Sequence, residues 1–319
     1  MWDFSFAKAI QMVVQTMPLV LLRLAVYIGI GLAYVFSIGT GAAFGWAFGG
    51  APLGALIGFG LTSAILYWGR EYLLYLVKAA HIAVLVELLD GRSVPAGQSQ
   101  IAYGKRFVET HFLEASVLFG VDQVVKAVLR ILFRSMNWFA LFMPIPGFRA
   151  LVRLAEAAIR VSLTYVDEII LAYLIRTRTR NPWATAGDGI VLYAQNYKHL
   201  LKNAAWLAAF LWLAALAIFI VVTGPFIALA AVMQGGAAIW GIVLAAIFAL
   251  ALKSAVLEPV AIAALMQVYF RTIEGQTPDA AWRARLDSVS GPFRDLSGKA
   301  AGWVPGPKFP DLPAAGAPA

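Results

Sequence analysis

Cysteine is missing from this chain of 319 residues, and charge is scarce. Without a thiol there is no disulfide framework, no thiolate nucleophile, and no Cys-ligated zinc or iron–sulfur cluster. Charged residues make up 13% of the sequence, against about 25% in a soluble domain, too few to clothe a surface in water. The three histidines, His81, His111 and His199, lie far apart, so no His-rich metal site is expected. Gly187-Asp188-Gly189 lacks the spacing of a phosphate-binding loop, and no cofactor is implied. No uncharged span pairs a Ser or Asp with a His, as an intramembrane hydrolase would need, so an enzyme is not expected.

What is present is apolar. Hydrophobic residues reach 61% and the mean hydropathy is +0.78. An all-α polytopic integral membrane protein follows, with lipid as its solvent. The formal net charge of +8 is concentrated in the middle. Residues 1–69 hold two basic and one acidic residue, residues 70–202 sixteen and ten, and residues 253–319 seven and six. A nucleic-acid binder is also basic but not this hydrophobic, so no nucleic-acid partner is expected. Basic loops between spans instead mark the cytoplasmic side. This places the middle region and the C-terminus on the cytoplasmic face of an inner membrane.

Two runs carry no charge at all, 24–69 (46 residues) and 203–252 (50 residues). About 20 helical residues cross a hydrocarbon core about 30 Å thick, so each run holds two spans and a turn. Glycines from Gly39 to Gly50 with Pro52, and then Gly224-Pro225 and Gly235-Gly236, punctuate them. Helices are expected near 17–38, 52–89, 203–223 and 237–272. Residues 1–16 read as an interfacial helix with Trp2 and Phe4 at headgroup level, and no cleavable leader is expected. The chain then divides into that helix, a first membrane hairpin with an extended helix (17–95), a basic amphipathic middle (96–202), a second hairpin (203–278), and a polar then Pro/Ala-rich tail (279–319). The tail is expected to be disordered from Gly302 onward.

Gly41, Gly45 and Gly49, and then Gly50, Gly54 and Gly58, recur every four residues. Small residues at that spacing let another helix backbone approach closely, either within the chain or in a homo-oligomer or pore. The two hairpins also end alike. Each has a basic residue (Arg70, Lys253), about 20 mostly apolar positions, acid-Gly (Asp90-Gly91, Glu274-Gly275) and then proline (Pro95, Pro278). Such endings suit either a weak internal duplication or common helix-stop chemistry, a glycine followed by proline. Lys78, His81 and Glu87, on the extension of the second helix, are expected to project into the cytoplasm.

The middle region has charges at helical spacing. Asp122, Lys126, Arg130 and Arg134 mark one long amphipathic helix, and Arg149, Arg153, Glu156, Arg160, Thr164 and Asp167 mark another. Packed antiparallel, they would bring Asp122 to Arg160 and Arg130 to Glu156. They either lie in the interface or span it with their charges paired or lining a wet path. Arg176, Arg178 and Arg180 form a positive anchor facing anionic lipid. Asp167-Glu168 beside Tyr165, with Tyr173 and Trp138 near, suits a quaternary ammonium, which favours aromatic faces. Glu258-Pro259 offers a second carboxylate for a cation or proton, or else for Lys253.

The ASVLFG stretch at 115–120 with Arg130 beyond it, the Asn181–Asn203 segment and the helix closing at Thr272-Ile273-Glu274 resemble the C-terminal membrane region of the choline transporter-like family. The resemblance covers roughly 110–278 and implies a multi-span facilitator of choline or related amines, without catalytic residues. The residues alone leave two readings. One is a transporter or channel-like facilitator of a small cationic solute, using Asp122, Arg160, Tyr165, Asp167, Glu168 and Glu258 around a hydrated cavity. The other is a non-transporting scaffold or accessory subunit whose partners are lipids or a membrane complex, with those groups paired off.

Overall fold

Two helical hairpins project from a shared helical body in the computed structural model, which describes residues 2–94, 98–111, 119–128, 165–177, 181–232 and 237–304. All regular structure among the described residues is helical. The elements are α1 (Phe6–Gln15), α2 (Met17–Ala47), α3 (Ala51–Leu89), α4 (Gln100–His111), α5 (helical over 119–128) and α6 (helical over 165–177). They continue with α7 (Pro182–Gln195), α8 (Tyr197–Val232), α9 (Ala237–Leu252), a π-helical turn (Lys253–Leu257), α10 (Glu258–Thr272), α11 (Ala280–Val289) and α12 (Gly291–Ala301). Among the described residues four segments are long and apolar enough to cross a membrane: Met17–Ala47, Gly69–Leu89, Tyr197–Phe226 and Gly241–Thr272.

At 31 and 39 residues, α2 and α3 run for about 46 and 58 Å at 1.5 Å per residue. Both exceed a hydrocarbon thickness, and the excess forms the body. Side-chain burial follows the same division. In the hairpin arms Phe36, Phe44, Trp46, Ile65, Trp212 and Val221 are each at least 69% exposed. In the body Ile82, Leu85, Ile170, Ile190, Ile262 and Tyr269 lie in one continuous core. Large apolar side chains left bare over whole helices are stable where lipid replaces water, since the hydrophobic effect acts only on surface taken from water.

The first arm closes more tightly than the expected helix limits suggested. α2 runs to Ala47 rather than ending near 38, because Gly39, Gly41 and Gly45 do not interrupt it. Gly41, Gly45, Gly54 and Gly58 face one another across the hairpin. A Cβ at Gly45 would sit 2.9 Å from the Gly54 Cα, so only glycine lets the backbones meet here. Ser37 adds hydrogen bonds to the Gly58 carbonyl at 2.8 Å and with Thr62. Gly49 turns the chain at φ +75°. The second arm also departs from expectation, since Gly224-Pro225 lies inside α8, which continues to Val232. A proline costs its helix one hydrogen bond and a clash, and neighbouring groups offset this in membrane helices. Gly235-Gly236 lies outside the described residues. The arms touch where Gly31 of α2 meets Ile247 of α9.

Capping sets the body's helix ends. Ser5, Asn181, Asp279 and Ser290 each accept a backbone N–H three residues on, at 2.8–3.3 Å. α3 and α10 both stop at a left-handed glycine, Gly91 at φ +75° and Gly275 at φ +70°. α1 packs on α10 and α3 with Ala9, Met12 and Val13 buried. Its outer stripe, Ile10 and Val14, continues into Met17 and Leu21 of α2, all exposed. Trp2 packs edge-on against Trp206 of α8 at 5.6 Å. α11 and α12, not anticipated as helices, fold onto α7, where Asn181 donates to the Ala300 carbonyl at 2.8 Å and Arg283 pairs with Asp188. Residues 305–319 of the tail lie outside the described residues.

Candidate functional site

The charges of the body meet where the two arms join it. Arg23, the last charge before the first uncharged run, sits on α2 and is 1% exposed. Its Nη2 reaches Glu258 at 3.0 Å and donates to the Ser254 carbonyl at 3.4 Å. That carbonyl is available for a local reason. In the wide i→i+5 turn over 253–257 its helical donor would be residue 259, and Pro259 has no N–H. Glu258 also accepts from the Tyr27 hydroxyl at 3.3 Å and lies 3.8 Å from Lys78 and 4.0 Å from Lys253.

Lys78 of α3 donates to Glu168 of α6 at 2.9 Å. Beside it, Lys126 of α5 contacts Asp122 at 2.8 Å and Asp167 at 3.4 Å. An acid–base chain thus runs Asp122–Lys126–Asp167–Glu168–Lys78–Glu258–Arg23. Its four carboxylates are all largely buried. Burial pushes the Asp167 carboxyl well above the usual carboxylate range, and the adjoining Glu168 charge adds to this. Burial acts on Glu168 in the same direction, but the Lys78 ammonium and a hydrogen bond with Asp167 outweigh it and hold Glu168 down to about 2. Burial also raises Asp122, against the pull of Lys126.

Arg23 lies 24 residues before the end of α2 and Lys78 27 residues after the start of α3. These spacings correspond to about 36 and 40 Å from the hairpin turn. The chain of charges therefore sits at the root of the arms rather than at their middle.

Of the residues singled out from the sequence, Asp122, Asp167, Glu168 and Glu258 come together here, and Tyr165 is buried within electrostatic reach of Glu168 and Glu258. Tyr173 turns elsewhere, packing edge-on to Tyr269 at 6.1 Å. Arg130, Trp138, Glu156 and Arg160 fall outside the described residues, and Asp122 takes Lys126, one turn along its own helix, as its partner. Lys126 contacts Asp167 and Lys78 contacts Glu168. Arg23, Tyr27 and Lys78 were not anticipated as members. Lys78 does not project freely, nor do its neighbours. His81 is fully buried 2.8 Å from the Thr16 hydroxyl, and Glu87 is buried against Arg92 at 2.5 Å and Tyr103 at 3.2 Å. α1 and α4 cover that stretch of α3. The one available hint was Arg23 itself, a lone cation beside 46 uncharged residues, which needs a carboxylate wherever it is buried.

Two cavities lined by described residues open on the arms. One, about 520 Å³, is lined by Phe44, Phe48, Leu53, Ile57 and Leu61 over the glycine contact, and the other, about 270 Å³, by Leu24, Ile28, Val221, Pro225 and Phe248. Neither has a charged wall. Among the described residues no group of three or more His, Asp or Glu is placed to hold a metal ion. No known protein family, curated protein or solved structure matches this chain.

Proposed function

We propose that this chain is a multi-pass membrane scaffold or accessory subunit. Its two hairpins anchor a helical body at the cytoplasmic face of an inner membrane and hold it in a set orientation. The single observation carrying the reading is that Asp122, Asp167, Glu168 and Glu258 each have a lysine or arginine of the same chain within 4 Å. Groups lining a solute path are expected to face an open polar space, whereas each of these is in contact with a cation of the same chain at the root of the arms. Orientation rests on Arg176, Arg178 and Arg180 through the positive-inside bias. Lipids are the first partners, contacted by the bare apolar faces of α2, α3, α8 and α9.

The aromatic hydroxyl of Tyr27 against Glu258, with Tyr165 nearby, favours a second reading, passage of a small amine such as choline. One assay separates the two. Proteoliposomes containing the purified chain are expected to take up labelled choline no faster than protein-free vesicles. Saturable uptake abolished by Glu258→Gln or Asp167→Asn would replace the scaffold with the facilitator. Orientation is checked by adding single cysteines to the cysteine-free chain. Asp279→Cys and Asn196→Cys should react with an impermeant maleimide from the same side, opposite to Phe48→Cys.

A further inference from the structure

Among the described residues the charge count in the buried chain does not close. Four carboxylates, Asp122, Asp167, Glu168 and Glu258, face three interior cations, Arg23, Lys78 and Lys126. Lys253 touches only the far end, at 4.0 Å from Glu258, with its side chain 42% exposed. Lys126 is shared between Asp122 and Asp167, whereas Lys78 is shared between Glu168 and Glu258. The shortage of positive charge therefore falls where Asp167 and Glu168 adjoin. The same spot holds an unmet acceptor, since Glu168 Oε2 is buried and has no hydrogen-bond donor among the described residues, while Oε1 takes Lys78. A buried, ionised oxygen without a donor is costly.

We propose that Asp167 binds an exchangeable proton at neutral pH and donates it in a hydrogen bond to Glu168 Oε2. One proton answers both defects. It removes the surplus negative charge and supplies the missing donor. The two carboxyls are neighbours in the sequence and both buried, and burial together with the Glu168 charge raises the proton affinity of Asp167. Among the described residues the groups facing the pair are Asp122 and Lys126 from α5, Lys78 and the Tyr75 phenol from α3, Glu258 from α10, and Tyr165 one turn away. Adjacent carboxylates that cannot both ionise commonly share one proton in this way. The assignment concerns proton binding alone and holds for either function discussed above.

Infrared titration of the full chain in lipid nanodiscs tests it. At pH 7 the parent should show the carbonyl stretch of one protonated carboxylic acid. Asp167→Asn, which keeps the shape and a donor toward Glu168, should lose that band while retaining the parent's thermal midpoint. Asp122→Asn should also lose it, because Lys126 then belongs to Asp167 alone and the surplus is gone. Glu274→Gln, on the surface, should keep it. Absence of an acid band in the parent, or a band that survives Asp167→Asn, overturns the assignment. So does a parent without the band whose midpoint rises with sodium while that of Asp167→Asn does not, since a metal ion would then be meeting the surplus charge.

Discussion

Replacing Glu258 with glutamine tests whether the ionic chain holds the second arm to the first. The change keeps size and removes charge. Lys78 retains Glu168 at 2.9 Å, and Lys253 is exposed enough to be solvated. Arg23, at 1% exposure, loses its counter-charge and is left with neutral acceptors, the glutamine oxygen and the Ser254 carbonyl at 3.4 Å. Stranding a buried cation by removing its partner costs about 3–5 kcal/mol. Arg23→Met should cost less, because Glu258 still has Lys78 and Lys253 beside it. The double variant Arg23→Met/Glu258→Gln, with no stranded charge, should be more stable than Glu258→Gln alone, giving a coupling of about 1–3 kcal/mol. The assay is equilibrium unfolding in mixed micelles of rising denaturing-detergent fraction, followed by the fluorescence of the ten tryptophans. A Glu258→Gln loss below about 1 kcal/mol, or single losses that simply add, would refute the reasoning.

Gly45→Ala should destabilise the first hairpin by about 1–3 kcal/mol through overpacking. Gly60→Ala, with open space around its would-be Cβ, should be neutral or stabilising, and equal losses in the same unfolding assay would contradict the glycine contact. Thr16→Val leaves the fully buried His81 ring without its 2.8 Å partner and should cost about 1–3 kcal/mol, whereas an unchanged midpoint would show that the contact contributes nothing. Glu168 has a depressed folded-state proton affinity, so its contribution to stability is present above its unfolded value of 4.5 and lost as pH falls toward about 2. Thermal midpoints measured between those limits should fall more steeply in the parent than in Glu168→Gln, and parallel slopes would count against the Lys78 pairing. Deleting Ala255 should convert the π-helical turn to an α turn and leave the faces of α9 and α10 in place. Deleting Ala263 rotates half of α10 by about 100°, so only the first deletion should yield a monodisperse, folded protein.

The arms were legible because lipid penalises charge so heavily that 46- and 50-residue runs without it admit little besides buried helices. Their ends were less legible. Glycine and proline penalties are calibrated for helices in water, where a freed backbone group is solvated. In α2 the glycines face α3 and are needed for contact, and in α8 Pro225 lies within a helix that persists. The carboxylates of the site were visible as isolated acids on apolar helices, but their partners were not. Arg23 and Glu258 are 235 positions apart, and Lys78 and Glu168 are 90 apart, distances at which spacing carries no information. Asp122 illustrates the opposite bias. A distant Arg160 was expected from an assumed antiparallel packing, while Lys126, four residues along the same helix, was the cheaper partner. Lys78, His81 and Glu87 looked like solvent-facing residues because the helices that cover them come from elsewhere in the chain.

Both arms are entered in the same way, and the site exploits a place where they differ. α1 gives way to α2 at Thr16, whose hydroxyl bonds back to the Met12 carbonyl at 3.1 Å, and α7 gives way to α8 at Asn196, whose amide bonds back to the Leu192 carbonyl at 2.9 Å. Each return helix ends in a left-handed glycine and is followed by a further helix, α4 or α11. Gly91 follows Arg70 by 21 positions, and Gly275 follows Lys253 by 22. A π turn holds one residue more than an α turn, so Lys253–Leu257 absorbs the extra residue without rotating α10 against the core. That widening, next to Pro259, leaves the Ser254 carbonyl open to Arg23 of the other arm. The first arm thus brings cations, the second brings Glu258 with a freed carbonyl, and α5 and α6 add Lys126 and three carboxylates. Neither arm completes the chain of charges alone, which is why its pairing serves to lock the two hairpins to one body.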